Sequence, residues 1–361
     1  MTKTPEAYFP ADYRSGRAAF IEACEAADLG VTARVHPAAK GPDGKPLFID
    51  VATIGAREAK TALLLISGTH GVEGYFGSGV ETGLLREGLA RRAPKGAKIV
   101  VLHALNPYGF AWNRRVNEDN ADINRNFVDH AHPPVNAAYE MLSDAIAPKS
   151  ISPIAMKKAN ARLRDYAREH GDFALQEAIS AGQYSHPDGL YFGGAQTAWS
   201  AAMLKDVFVE ELAHVKRLIV IDFHTGLGKS GAAEMITEDL PGSAAYARAK
   251  AMWGGLVHSS EAGESLSAPL TGTIDVAVAQ WMTGKELTFA ALEVGAAPLR
   301  DVFLSLRKDN WLHTRATPAH RSAKAIKTAI RAAFYPDTSE WKRAVWNHAE
   351  ETVDAACAAL T

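Results

Sequence analysis

The sequence predicts an α/β protein: a three-layer αβα sandwich with a mixed, largely parallel central sheet. Three observations carry that expectation. Five short runs, at 47–54 (LFIDVATI), 61–67 (TALLLIS), 98–104 (KIVVLHA), 217–223 (RLIVIDF) and 286–292 (ELTFAAL), are apolar at most positions. That pattern suits strands covered on both faces. Helix-like stretches at 77–90, 153–177, 243–258 and 273–283 alternate with them, and strands alternating with helices make a layered sheet. The chain has 361 residues, 47% hydrophobic and 22% charged, the proportions of an ordinary globular protein with room for one large domain.

Along the chain, the first sixteen residues (MTKTPEAYFPADYRSG) hold two prolines and no apolar core. An export signal needs such a core. No uncharged apolar run reaches the ~20 residues of a membrane span, so a cytoplasmic setting is expected. The strand at 61–67 runs into Gly68-Thr69-His70-Gly71-Val72-Glu73. His70 and Glu73, three residues apart in a turn-like segment with flanking glycines, can converge on one point, and both side chains are good zinc ligands. After the strand at 98–104 comes a polar loop, 106–127, holding Arg114, Arg115 and Arg125 among several asparagines. Guanidinium groups at a strand exit suit a substrate carboxylate and a developing oxyanion.

The stretch from about 129 to 214 reads as a helix-rich insertion partly capping the pocket, within a single domain spanning 1–361. The strand at 217–223 delivers His224, which completes a His₂Glu set, one of the standard three-ligand sets of catalytic zinc. The strand at 286–292 ends at Glu293. A carboxylate there is costly unless it is solvated, paired or used, and beside activated water it is a general base. The tail from about 317 to 361 reads as two helices broken around Pro336. In the second, Trp341, Val345, Ala349, Val353 and Cys357 recur every four residues, a stripe expected to dock on the parent domain.

Composition excludes several classes. Thirty-nine basic residues against 41 acidic give a formal charge of −2, too little positive charge to coat nucleic acid. Two cysteines, Cys24 and Cys357, make neither a disulfide framework nor a CxxC site.

The HxxE of His70 and Glu73, the Asp122-Ile123-Asn124-Arg125 segment, His224 and Glu293 occur in the order found in the zinc carboxypeptidases of the carboxypeptidase A type. The chain resembles that family over roughly 47–302, and more closely its cytoplasmic bacterial peptidase-like branch of unknown substrate. The resemblance implies a carboxypeptidase-like fold and one Zn²⁺ per chain, bound by His70, Glu73 and His224. It makes Glu293 the catalytic base and has Asn124 and Arg125 hold the substrate's terminal carboxylate. Arg114 or Arg115, with Arg115 preferred, would polarise the carbonyl, and Asp122 would hydrogen-bond the first histidine ligand. Family members carry a tyrosine over the substrate between the second histidine and the glutamate. Residues 263–272 (GESLSAPLTG) have none, and Tyr191 is the candidate replacement. The implied activity is a metallocarboxypeptidase acting on small peptides with a free C-terminal carboxylate. The alternative is an N-acyl amino acid amidohydrolase of the aspartoacylase and succinylglutamate desuccinylase kind. The partner is then a small peptide or N-acyl amino acid, with no nucleic acid and no membrane.

Other chemistries fit less well. Gly226-Leu227-Gly228-Lys229-Ser230-Gly231 matches GxGxxG, but the stretch about twenty residues on is alanine-rich rather than an acid-ended strand. Ser230 lacks the second glycine of a GxSxG elbow. A non-catalytic binding module would be expected to have lost the ligand set or the base.

Overall fold

In a computed structural model, the protein is described from residue 4 to residue 361. The described residues form eight strands, β1 (Val31–Lys40), β2 (Pro46–Gly55), β3 (Thr61–Ile66), β4 (Lys98–His103), β5 (Arg217–Thr225), β6 (Ala233–Thr237), β7 (Val257–Ser259) and β8 (Glu286–Val294). They form one sheet in the order β1-β2-β4-β3-β5-β8-β6-β7. The centre, β4-β3-β5-β8, is parallel. The β1-β2-β4 side and the β8-β6 pair are antiparallel. The sheet is therefore mixed, as expected.

Successive side chains of a strand leave on opposite faces, and each central strand feeds two cores. Leu63, Leu65, Ile219, Ile221 and Leu292 join one apolar cluster, while Leu64, Ile66, Leu218, Val220 and Phe289 join the other. The first core is closed by α1 (Tyr13–Ala26), α2 (Gly74–Arg86), the short α3 (Leu89–Arg92), α9 (Ala244–Trp253) and α13 (Ser339–Ala358). The second is closed by α8 (Trp199–Val207) and α10 (Ile274–Trp281). Between β4 and α8 run α4 (Pro107–Trp112), α5 (Ala137–Ile146), α6 (Pro153–His170) and α7 (Asp172–Ser180). The last three pack with α11 (Leu299–Thr314) and α12 (Ala323–Phe334) in a third apolar cluster. All five members of the C-terminal stripe lie buried in the first core.

Three strands went unforeseen, each for a physical reason. β1 is an edge strand, half exposed along its length and interrupted by Pro37, so it lacks the continuous apolar run that marks a two-sided strand. β6 and β7 are five and three residues long. The helix expected over 243–258 stops at Trp253, where Gly254 turns left-handed (φ 58°), and Val257–Ser259 enters the sheet instead. The helix expected over 153–177 is two, broken at Gly171 (φ 94°). No helix is long and apolar enough to cross a membrane among the described residues.

Parallel central strands place the ends of β3, β5 and β8 on one edge of the sheet, where α/β proteins bind ligands. Register sets what meets there: Ile66 pairs with Asp222, and His224 pairs with Glu293.

Below that edge, His103 at the end of β4 is fully buried, stacked on Phe20 at 4.6 Å and bonded through Nε2 to Ser78 Oγ at 2.9 Å. Burial pushes its pKa down to about 3. The native state keeps it neutral while the unfolded chain protonates near 6.5, so its contribution is intact above pH 6.5 and is lost as pH falls. Between pH 6.5 and 5 the loss comes to about 2 kcal/mol. Thermal melts over that range should show a steeper fall for the wild type than for His103→Gln; equal slopes would reject the assignment.

Candidate metal centre

The turn after β3 carries the first two donors. His70 precedes a single 3-10 turn, Gly71–Glu73, which leads directly into α2. The turn lies hard against α4: a Cβ on Gly71 would sit 2.0 Å from the carbonyl carbon of Gly109, so only glycine fits. Backbone bonds from Gly71 N to Arg115 O (3.1 Å) and from Val72 N to Arg114 O (2.7 Å) tie the turn to the polar loop. The third donor, His224, leaves the end of β5 on the face that also bears Asp222.

Three donor atoms converge. His70 Nδ1 lies 3.0 Å from Glu73 Oε1 and 3.2 Å from His224 Nδ1, and His224 Nδ1 lies 3.1 Å from Glu73 Oε2. A tetrahedral zinc with bonds of about 2.1 Å would hold its ligands roughly 3.4 Å apart, close to these separations. All three residues are buried, and together they could hold a metal ion. Behind the donors, each imidazole turns its other nitrogen to a carboxylate. His70 Nε2 is 3.1 Å from Asp122 Oδ1, and His224 Nε2 is 2.8 Å from Asp222 Oδ2. Such carboxylates fix the tautomer that aims a lone pair inward and raise ring basicity. Asp222 is itself held by the hydroxyl of Thr69 at 2.8 Å.

The charges point the same way. Burial raises Glu73 and Asp122, but the histidines outweigh it at Glu73, and Arg115 and His70 outweigh it at Asp122. Both carboxyls lie well below their ordinary range. Burial disfavours a charged His224, yet Asp222 and Glu73 hold its pKa well above normal. Arg115 lies in the field of three buried carboxyl groups, Glu73, Asp122 and Glu293, and Arg125 in that of Asp122. Two imidazole nitrogens and a carboxylate oxygen are the donor set of a zinc-type divalent cation. The residues fit such an ion.

Around the donors stand the other candidate residues. Glu293 is nearly buried and accepts from Leu227 N at 2.8 Å. Desolvation first, then the charge of Glu73, raises its pKa above that of a free glutamate. Arg115 donates to Asp122 Oδ2 through Nε at 2.9 Å and reaches His70 Nε2 through Nη2 at 2.7 Å. Arg114 points elsewhere. It is buried against Asp309 (3.1 Å) and Asn120 (2.8 Å), outside the cavity described below, so of the two neighbouring arginines expected at the site only Arg115 reaches it. Arg125 is buried and donates to the carbonyls of Ser180 and Asn124, while Asn124 Oδ1 accepts from Ile274 N at 2.9 Å. The Tyr191 ring lies 5.1 Å from the Arg115 guanidinium and 5.8 Å from that of Arg125, on a left-handed backbone (φ 53°) unusual for tyrosine. His70, His224, Glu293, Arg115, Arg125 and Tyr191 share a cavity of about 870 Å³.

Asp222 was missed in the sequence, although the spacing Asp222-Phe223-His224 on a strand puts the two polar side chains on one face. The GxGxxG glycines serve as turn residues: Gly226, Gly228 and Gly231 all have positive φ. They lead from β5 into β6 rather than into a helix, so the strand–turn–helix context of a dinucleotide site is missing.

The family described as "Protein of unknown function (DUF2817)" matches residues 9–348. No curated protein matches the chain. Among solved structures, the chain is similar to carboxypeptidase A from Helicoverpa armigera, at 12% identity and a TM-score of 0.46, covering 90% of this chain and 74% of that one. It is similar to a metallo-carboxypeptidase from Pseudomonas aeruginosa at 14% identity and a TM-score of 0.45, covering 98% and 71%. It is also similar to an aspartoacylase family protein from Mesorhizobium loti at 16% identity and a TM-score of 0.40, covering 79% and 66%.

Replacing a carboxylate behind a donor histidine should weaken metal binding without removing a ligand. Asp222→Asn and Asp122→Asn are each expected to lower zinc affinity about 10- to 100-fold, read by competition with a chromogenic chelator. Unchanged affinity in both variants would show that these carboxylates do not support the centre.

Proposed function

The chain belongs to the DUF2817 family, and we propose that it is a zinc-dependent hydrolase of amide bonds. The bond cleaved joins an amino acid bearing a free carboxylate to an acyl or peptidyl group. The observation that supports this most is the pairing of His224 with Glu293 across β5 and β8. It sets a carboxylate of raised pKa beside a three-donor centre, in a cavity also lined by two guanidiniums.

When bound, zinc supplies a Lewis acid that polarises a carbonyl and lowers the pKa of water. The chain's own residues supply the rest. Glu293 takes a proton from the attacking water and passes it to the leaving nitrogen, and its raised pKa suits a group that must both accept and return a proton near neutrality. With His70 Nδ1 turned to the ion, His70 Nε2 carries a hydrogen and donates it to Asp122. The Nη2 of Arg115 then has no acceptor on the imidazole and is free to donate to the substrate carbonyl oxygen as negative charge develops there. Arg125 and Asn124 hold the substrate carboxylate, with Arg125 aligned by the carbonyls of Ser180 and Asn124. Tyr191, whose ring lies near both guanidiniums, borders the space they share. A peptidase acting on small peptides in the cytoplasm and an N-acyl amino acid amidohydrolase are both served by this arrangement.

Glu293→Gln should bind zinc as the wild type does and lose about 10²- to 10⁴-fold in kcat on dipeptides and N-acyl amino acids; full activity in that variant would remove Glu293 as base. Arg125→Ala should lower kcat/KM at least tenfold on free-carboxylate substrates and little on their C-terminal amides. Equal losses on both would reject the carboxylate clamp.

A further inference from the structure

The cavity has two unlike walls. Near the clamp it is polar, lined by Thr237, Ser260, Thr273 and Asp275, and the bond from Ile274 N to Asn124 fixes the clamp beside that wall. It also opens into a crevice between α6–α7 and α11, walled by Leu163, Leu175, Ile179, Val302, Phe303 and Leu306, whose α7 end at Ser180 accepts two bonds from the clamp's Arg125. Well-packed interiors leave few voids larger than a water molecule. An apolar-walled space continuous with a reaction centre, in a cavity of the size that encloses drug-sized ligands, is therefore a feature to be filled. The crevice is also braced open. Arg307 of α11 is buried and bonds across to Asn160 Oδ1 in α6 (2.6 Å) and to the carbonyl of Ala145 in α5 (2.7 Å), so the helices cannot close on one another without stranding that guanidinium.

Resting on the amide-hydrolase reading above, we propose that this crevice is the acyl subsite and takes an uncharged aliphatic or aromatic acyl group of medium length. The preferred substrates are then N-acyl amino acids rather than dipeptides. With the carboxylate clamped by Arg125 and Asn124 beside Ser180 and the scissile carbonyl at the metal donors, the acyl group is left the rest of the crevice, along Val302, Phe303 and Leu306 of α11. A dipeptide would carry a positive α-ammonium group onto that apolar surface. The exposed charged residues lining the cavity there are Arg164, Arg300 and Asp172.

The test is kcat/KM of the zinc-loaded protein on one amino acid N-acylated with acetyl, butanoyl, hexanoyl and octanoyl chains, beside dipeptides of the same C-terminal residue. Each methylene entering the crevice should raise kcat/KM about fourfold, so hexanoyl should exceed acetyl by on the order of 100-fold. Octanoyl should exceed Leu- and Phe-dipeptides. Leu175→Asp, at a half-buried position of the crevice, should cut the octanoyl-to-acetyl ratio at least tenfold. A flat or falling series, or a preference for dipeptides, overturns the subsite while leaving the hydrolase reading standing. Should neither class be turned over, the hydrolase reading fails, and calorimetric titration of the octanoyl and acetyl compounds into Glu293→Gln protein decides the crevice separately. Tighter octanoyl binding there supports it, and equal or absent binding overturns it.

Discussion

Two imidazole nitrogens and a carboxylate held within 3.0–3.2 Å of one another, out of water, are the constraint on which the rest of the structure turns. Lone pairs brought that close repel, and polar groups taken from water need compensation. A cation among them would supply it, and the surroundings suit one. Each imidazole has a carboxylate at its back, Asp222 has a hydroxyl at its own back, and Arg115 neutralises part of the acid excess.

The sheet delivers these groups with little freedom. Parallel pairing of β3, β5 and β8 brings three strand ends to one edge, and the register sets His224 directly beside Glu293. The turn after β3 is pressed so closely on α4 that Gly71 has no room for a side chain. That contact fixes where His70 and Glu73 sit relative to Arg115, whose carbonyl accepts from Gly71 N. Neighbouring arginines then divide the work. Arg114 anchors the loop to Asp309 in the interior, and Arg115 turns the opposite way to the donors.

Much of this was written in local pattern. The two-sided strands 61–67, 98–104, 217–223 and 286–292 announce themselves because burial on both faces demands an unbroken apolar run, and the residues at their ends could be picked out as exceptions to it. The stripe of Trp341, Val345, Ala349, Val353 and Cys357 was equally readable, since one helical face must be apolar to dock. Edge strands carry no such demand, and β1, β6 and β7 left no trace above the background of short or half-exposed segments. Asp222 was hidden for a related reason: inside an otherwise apolar strand a single carboxylate reads as an interruption until its partner is known.

Sequence by itself determined which chemistry is available: two histidines and a glutamate at strand exits, an acid following a strand, and a loop rich in guanidinium and amide groups. Those are properties of residue type and of local periodicity, and both are carried in a few consecutive positions. Only the tertiary structure decided which arginine faces the donors, which carboxylate backs each imidazole, and that an apolar crevice opens from the cavity they line. Contacts such as Asp222 with Thr69 or Asn160 with Arg307 join positions more than a hundred residues apart. Their energies exist only after the chain between them has folded, so no local pattern encodes them.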